Sequence, residues 1–275
     1  MASPSPTRRT LAQVIRAAGG CLHADDAARR LLRLGSGGRF AARRVVLALA
    51  ASDPGLEVLP GDRVRIAPPQ PDSSPIEALR FVVLDLETTG SRAGDDRITE
   101  VGAIRVEGGA ITGTFHSLVR PDRPIPPAIT RLTGIHELIL AGAPRFPAIA
   151  GALLDFLGNG VLVAHNASFD ARFLEAEMRA AGHPPPPNAQ LCTMRLARRL
   201  LPDLRSCSLD SLAGHFGFAF RARHRAMGDA EVTVQVLRVL VEAARAAGAA
   251  SLGDLRALAR RRERRRQARE HDPGP

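Results

Sequence analysis

The chain has 275 residues, 45% of them hydrophobic, enough for one large or two unequal packed domains. Its formal charge of +10 arises from 38 basic residues, all arginine, against 28 acidic ones, so a phosphate-bearing polyanion fits as a partner. Three cysteines without CxxC spacing, apolar stretches no longer than that near residues 45–51 and no secretory-type apolar run after the first arginines argue against disulfide frameworks, zinc sites, membrane spans and export, leaving a soluble cytoplasmic protein with no membrane partner as the expectation.

Helical periodicity appears at residues 10–18 and 25–34, is broken by Gly35-Ser36-Gly37-Gly38, and resumes over 39–51. Residues 56–59 and 63–66 alternate around Pro60-Gly61-Asp62 and predict a hairpin. Three helices followed by a hairpin imply a winged-helix-like domain over residues 1–66, with a small helical interaction module as the alternative. Residues 1–78 carry 11 arginines against 7 acids. The run Ala67-Pro68-Pro69-Gln70-Pro71-Asp72-Ser73-Ser74-Pro75 predicts a linker over 67–78, because proline lacks a backbone donor and small polar residues build no core.

A larger block, 79–247, opens with Phe81-Val82-Val83-Leu84, whose continuous apolar run predicts a buried strand. Strands at 98–106 and 111–119 are joined by a turn at Glu107-Gly108-Gly109. A proline-rich loop, a helix at 148–157, a strand at 161–164 and helices at 171–181 and 226–247 follow. The order implies an α/β fold with a mixed sheet flanked by helices. Residues 248–275 form an arginine-rich tail, whose run Arg260–Arg266 predicts a solvated helix end or a disordered arm.

Chemistry concentrates at three places. Asp85 and Glu87 lie two apart at a strand end, so both point to one face, and Thr88-Thr89-Gly90 after them offers hydroxyls and an approachable backbone. His165-Asn166-Ala167-Ser168-Phe169-Asp170 reads as a turn leading into a helix, with Asp170 in the first turn, where the dipole keeps a carboxylate ionised. His224 and Asp229 are five apart, about 140° on one helix, which fits better with His224 in the loop and Asp229 in the first turn. Asp229 heads an apolar stripe through Val232, Val236, Leu240 and Ala243, where an unpaired acid would cost several kcal/mol. Four converging carboxylates repel one another unless divalent cations compensate, and oxygen donors select two Mg²⁺ or Mn²⁺ ions over zinc. Such a pair, with histidine as base, points to hydrolysis of a phosphodiester.

With these residues in view, residues 81–247 resemble the DEDDh 3′–5′ exonucleases, and among them the epsilon-type proofreading exonucleases of bacterial DNA polymerase III. Asp85-x-Glu87-Thr88-Thr89-Gly90 matches the family's first motif, His165-Asn166-x-x-Phe169-Asp170 its second and His224-x-x-x-x-Asp229 its third. Leu132-Thr133-Gly134-Ile135 matches the segment that contacts the terminal nucleotide. The resemblance implies an RNase H-like five-stranded mixed sheet, two metals held by Asp85, Glu87, Asp170 and Asp229, and His224 as the base. It also implies that Thr88 and Leu132 seat the 3′-terminal nucleotide, with Phe169 packing near it and Thr89, Thr133, His165 and Asn166 among the substrate contacts. The tyrosine-based sister subclass is excluded, because the chain has no tyrosine.

The implied activity is 3′–5′ hydrolysis of single-stranded or frayed DNA in proofreading or repair, releasing nucleoside 5′-monophosphates. The implied partners are single-stranded DNA or RNA 3′ ends, with duplex DNA through residues 1–66 and a DNA polymerase as further candidates. The alternatives are a 3′–5′ exoribonuclease, and a DNA-binding regulator that uses the N-terminal domain and carries a vestigial nuclease site.

Overall fold

The computed structural model describes residues 10–32 and 39–260. The glycine-rich break, the last two residues of the second expected helix and the arginine run beyond Arg260 lie outside the described residues.

The N-terminal unit begins at a capping box: the Thr10 hydroxyl accepts from the Gln13 amide at 3.1 Å, and the Gln13 side chain accepts from the Thr10 amide. It contains α1 (Leu11–Ala17), β1 (Cys21–His23), α2 (Ala24–Leu32), α3 (Arg39–Ser52), β2 (Leu56–Leu59) and β3 (Arg63–Ile66). The hairpin turns through Gly61 and Asp62 at φ 74° and 55°, a backbone region that glycine enters without steric cost. β1 adds antiparallel to β3, giving the sheet order β1-β3-β2. At three residues it is too short to register as a period in the sequence. Ile15, Ala27, Val46 and Val64 form a small core of their own.

The expected linker is tied down. The Gln70 side chain pairs both ways with the Arg80 backbone, at 2.8 and 3.1 Å. A single 3₁₀ turn at Ile76–Ala78 buries Ile76 in the main core.

The main sheet contains β4 (Arg80–Thr88), β5 (Ile98–Glu107) and β6 (Ala110–Leu118). The short helices α4 (Pro127–Thr133) and α5 (Glu137–Leu140) follow, then α6 (Phe146–Leu157), β7 (Val161–Ala164), α7 (Ala167–Ala180), β8 (Gln190–Cys192), α8 (Thr193–Leu200), α9 (Leu209–Phe216), α10 (Ala226–Ala246) and α11 (Leu252–Leu258). The strand order is β6-β5-β4-β7-β8; β4, β5 and β6 are antiparallel, and β7 and β8 run parallel to β4. This is the mixed sheet flanked by helices that the sequence pattern implied, with the five strands that the resemblance implied.

The apolar run of β4 is explained by cover on both faces. Phe81 and Val83 pack with Val163, Val236 and Leu240 on the α10 side. Val82 and Leu84 pack with Leu153, Phe173 and Leu174 on the α6 and α7 side. Two expectations change. The proline-rich stretch after β6 holds a helix, α4, because Pro126 and Pro127 sit at its start, where a missing N–H costs nothing. The residues after 247 continue into α11, whose Leu252 and Leu255 are buried in the main core.

The N-terminal unit meets this block at α6, where Thr10 donates to Asp155 at 2.5 Å and Arg16 pairs with the same carboxylate. Gly102 in β5 marks a close approach between β5 and the start of α10. A Cβ there would lie 2.5 Å from the Ala226 carbonyl carbon. Gly102→Ala is therefore expected to push the start of α10 outward at a cost of about 1–3 kcal/mol, read as a lower urea midpoint. An unchanged midpoint would contradict that tight contact.

Candidate active site

Strand alternation places Asp85 and Glu87 on the face of β4 that carries Val83, toward α10. The first turn of α10 delivers Asp229 to the same place. Carboxylate oxygens of Asp85, Glu87 and Asp229 all lie within 4.8 Å of one another. Asp170, in the first turn of α7, comes from the opposite side and accepts from the Leu86 amide. Its charge acts on Asp85, but it stands outside the three-carboxylate group.

Crowding in a buried place opposes ionisation. Asp85 is pushed well above the usual carboxylate range by burial, then by the charges of Asp170, Glu87 and Asp229. Burial, with Asp229 and Glu100 nearby, brings Glu87 to about 8, and burial brings Asp170 to about 7. Asp229 is raised by burial against the lowering influence of Arg223 and His224.

Arg223 is the local counter-charge. Its guanidinium makes a two-pronged contact with Asp210, at 2.7 and 2.8 Å, bonds Asp229 Oδ2 and lies 4.9 Å from the Phe220 ring centre. It leaves Asp229 Oδ1 buried without a hydrogen-bond partner. An orphaned carboxylate oxygen beside two more carboxylates fits a hard divalent cation.

His224 lies in the loop before α10 with φ 60°, and its amide donates to the Asp229 carboxylate. A left-handed non-glycine residue at this point is held by its surroundings. The loop folds back so closely that a Cβ on Gly228 would lie 2.0 Å from the Ala222 carbonyl oxygen. Behind the loop, Glu100 of β5 accepts from Arg225 Nε and Nη2, at 2.9 and 2.8 Å, and from the Ala226 amide at 3.1 Å. It also bonds His116 Nε2 at 2.7 Å. Sequence reasoning passed over Arg223, Asp210, Glu100 and Arg225. A glutamate between Ile98 and Val101 in a buried strand was the usable signal; in a chain whose only basic side chain is arginine, nothing singled out Arg223 or Arg225.

The expected substrate contacts divide. Leu132 is half exposed, Asn166 is exposed at the start of α7, and Phe169 is partly buried with its ring 4.8 Å from that of Phe173. The other side chains make hydrogen bonds within the fold. The Thr88 hydroxyl donates to the Gly90 carbonyl at 2.5 Å. The Thr89 hydroxyl donates to Asp96 and accepts from the Arg97 amide. The Thr133 hydroxyl bridges the Ile129 carbonyl and the Ile135 amide. His165 sits between the Thr193 hydroxyl and the Cys207 carbonyl, each at 3.0 Å, and burial brings it down to about 4, so its ring is neutral. These four side chains brace the loops around the carboxylates.

A pH dependence follows for the metal-free protein. The folded-state values of Glu87 and Asp170, about 8 and about 7, lie above their ordinary 4.5 and 3.8, so the folded protein holds protons that the unfolded chain has released. Their contribution to stability is complete in acid and is lost as pH rises through the folded values. His165, lowered from 6.5 to about 4, has the opposite slope, confined mainly below its ordinary value. Between about pH 6.5 and 8 the calorimetric Tm in EDTA should fall, and excess Mg²⁺ or Mn²⁺ should abolish the fall. A level Tm in EDTA across that interval would contradict the crowding.

Residues 82–237 match the RNase_T family, described as exonuclease. The chain is 44% identical over 193 residues to a Mycobacterium tuberculosis protein named as a bifunctional exonuclease/endonuclease, covering 67% of this chain and 30% of that relative. It is 36% identical over 162 residues to the DNA polymerase III subunit epsilon of Aquifex aeolicus, covering 59% of this chain and 80% of that subunit. Among solved structures, Exonuclease X in complex with 5′ overhanging duplex DNA superimposes with a TM-score of 0.53 at 28% identity, covering 66% of this chain and 99% of that one.

Proposed function

Because the chain belongs to the RNase_T exonuclease family, we propose that it removes nucleoside 5′-monophosphates from the 3′ end of single-stranded or frayed DNA, in proofreading or repair. The observation that carries this reading is the group Asp85, Glu87 and Asp229, with carboxylate oxygens within 4.8 Å of one another and Asp229 Oδ1 buried without a hydrogen-bond partner. Together with Asp170, these residues would hold two Mg²⁺ or Mn²⁺ ions. When bound, the ions would supply charge compensation for the carboxylates and for the phosphate under attack.

The chain's own residues do the rest. His224, on the loop beside Asp229, takes a proton from the attacking water at an unprotonated ring nitrogen. Arg223 neutralises Asp229 from the Asp210 side while the carboxylates stand without cations. Leu132 and Phe169 offer apolar surface to the terminal base and sugar, and Asn166 offers an exposed amide. Exonuclease X, solved with DNA, favours a deoxyribose polymer as substrate. The N-terminal helices and sheet are assigned a winged-helix-like role in duplex contact, and a DNA polymerase is a candidate partner because one relative is a polymerase subunit.

His224→Ala is expected to lower kcat by about 10² to 10⁴-fold while leaving the Tm gain on adding Mn²⁺ intact. A variant with undiminished kcat would remove His224 from the reaction. The reading as a whole is tested by degrading 5′-labelled single-stranded DNA, duplex DNA and RNA of one sequence with Mg²⁺, Mn²⁺ or EDTA. A metal-dependent ladder shortening from the 3′ end, with DNA preferred, is expected; shortening from the 5′ end, or none, would refute it.

A further inference from the structure

A second basic feature lies apart from the carboxylates. The open edge of β8, the start of α7, α8 and α11 enclose a cleft of about 180 Å³ lined by Ser168, Gln190, Arg195, Arg256 and Arg260. Three arginines line this space, Arg195 on α8, Arg256 on α11 and Arg260 just beyond its end, with no acidic residue in the lining. Arg256 is oriented by an ion pair with Asp72. Arg195 and Arg260 are exposed and have no carboxylate partner among the described residues. With Asp72 the one carboxylate paired to the three arginines among the described residues, the excess positive charge is relieved by an anion that enters between them.

The position of the cleft says which anion. β4, β7 and β8 are parallel neighbours and end at the same edge of the sheet, so β8 lies two strand spacings, about 10 Å, from the strand that carries Asp85 and Glu87. The first turn of α7 gives the same figure. Ser168 and Asp170 are about 200° apart on that helix, one facing the cleft and the other the carboxylates, on either side of a body about 10 Å thick. A chain with its last phosphodiester at the carboxylates would pass over this turn and set an upstream phosphate in the cleft.

We propose that Arg195, Arg256 and Arg260, with the Ser168 hydroxyl, form a binding site for a backbone phosphate of the single strand, upstream of the terminal phosphodiester. This rests on the exonuclease reading for its orientation. The site contacts phosphate and not bases, so it grips any sequence and contributes length-dependent, salt-sensitive affinity. It also gives α11 a function beyond filling the core: the helix carries Arg256, and the turn after it carries Arg260, to the cleft.

The test uses the full chain with Arg195→Gln and Arg260→Gln combined, two exposed side chains whose loss leaves the core intact. Fluorescence anisotropy in EDTA, where no hydrolysis occurs, measures binding of 5′-labelled oligothymidylates from two to twelve nucleotides over a salt series. The wild type should tighten as length increases, and the double variant should lose about tenfold on the longer strands. Its log–log salt slope should also flatten by roughly 0.7, the value for one single-strand phosphate contact. Binding and slope equal to the wild type at every length would overturn the site. Hydrolysis of the p-nitrophenyl ester of thymidine 5′-monophosphate, which is too short to reach the cleft, should be the same in both proteins. A wild type inert toward that ester and toward strands would refute the exonuclease reading, while the anisotropy result still decides the cleft.

Discussion

Asp85→Asn should lower kcat at least about 10³-fold, roughly 4 kcal/mol of barrier, and at the same time raise the Tm of the metal-free protein at neutral pH. The two effects share one cause. Asp85 is buried and faces the charges of Asp170, Glu87 and Asp229, so its carboxylate form is strongly disfavoured in the folded protein. Asparagine keeps the shape and removes that charge. The carboxylate group then loses a cation ligand, which removes turnover, and the folded state loses a source of repulsion, which raises stability. A folded-state pKa raised above the unfolded 3.8 means that the stabilising effect of the substitution grows as pH rises. The Tm gain should therefore shrink toward zero near pH 4 and be clear at pH 7 in EDTA. Calorimetry suits the measurement, since the chain has neither Trp nor Tyr to report by fluorescence. The Tm increase that Mn²⁺ gives the wild type should be largely lost in the variant. A variant retaining a tenth of the activity, or one destabilised in EDTA at pH 7, would contradict the role given to Asp85.

The parts of this site legible in the sequence are those in which local geometry alone fixes direction. Two acids at i and i+2 on a strand must share a face, so Asp85 and Glu87 could be paired before any fold was known. Asp229 could be placed inward because it heads the apolar stripe of α10, although the stripe ends at buried Ala244 instead of Ala243. His224 could be put in the loop because five residues on one helix would separate it from Asp229. The parts that were not legible depend on distant segments. β1 and β8 are three residues each and exist only because a neighbouring strand pairs with them. The hydroxyls of Thr89 and Thr133 read as free because their partners, Asp96 and the backbone of Arg97, Ile129 and Ile135, come into reach only when the loops close. Arg223 reaches Asp229 only through a loop that folds back against Gly228.

Arg225→Ala is the substitution expected to cost the most stability, about 2–3 kcal/mol, although Arg225 is none of the carboxylate ligands. Glu100 is 1% exposed and Arg225 34% exposed, so removing the arginine leaves a carboxylate in the interior with only His116 and the Ala226 amide. The partial exposure of Arg225 places the loss below the range for fully buried pairs, because solvent already screens one partner. Burial raises the pKa of Glu100, but its bonds to Arg225, His116 and Ala226 outweigh burial and hold it below the ordinary value. Its contribution is thus present above pH 4.5 and is lost as pH falls, so the gap between variant and wild type should narrow in acid. The cycle with Glu100→Gln separates pairing from packing: the double variant should cost less than the sum of the two singles. The consequence reaches the carboxylates through α10. Glu100 grips the residues that start the helix, and Asp229 lies one turn further on, so a frayed start should weaken Mn²⁺ binding in Arg225→Ala even where the protein remains folded. A variant with near wild-type stability and unchanged Mn²⁺ affinity would show that the helix start is held by other contacts, chiefly the packing of Ala226 on Gly102.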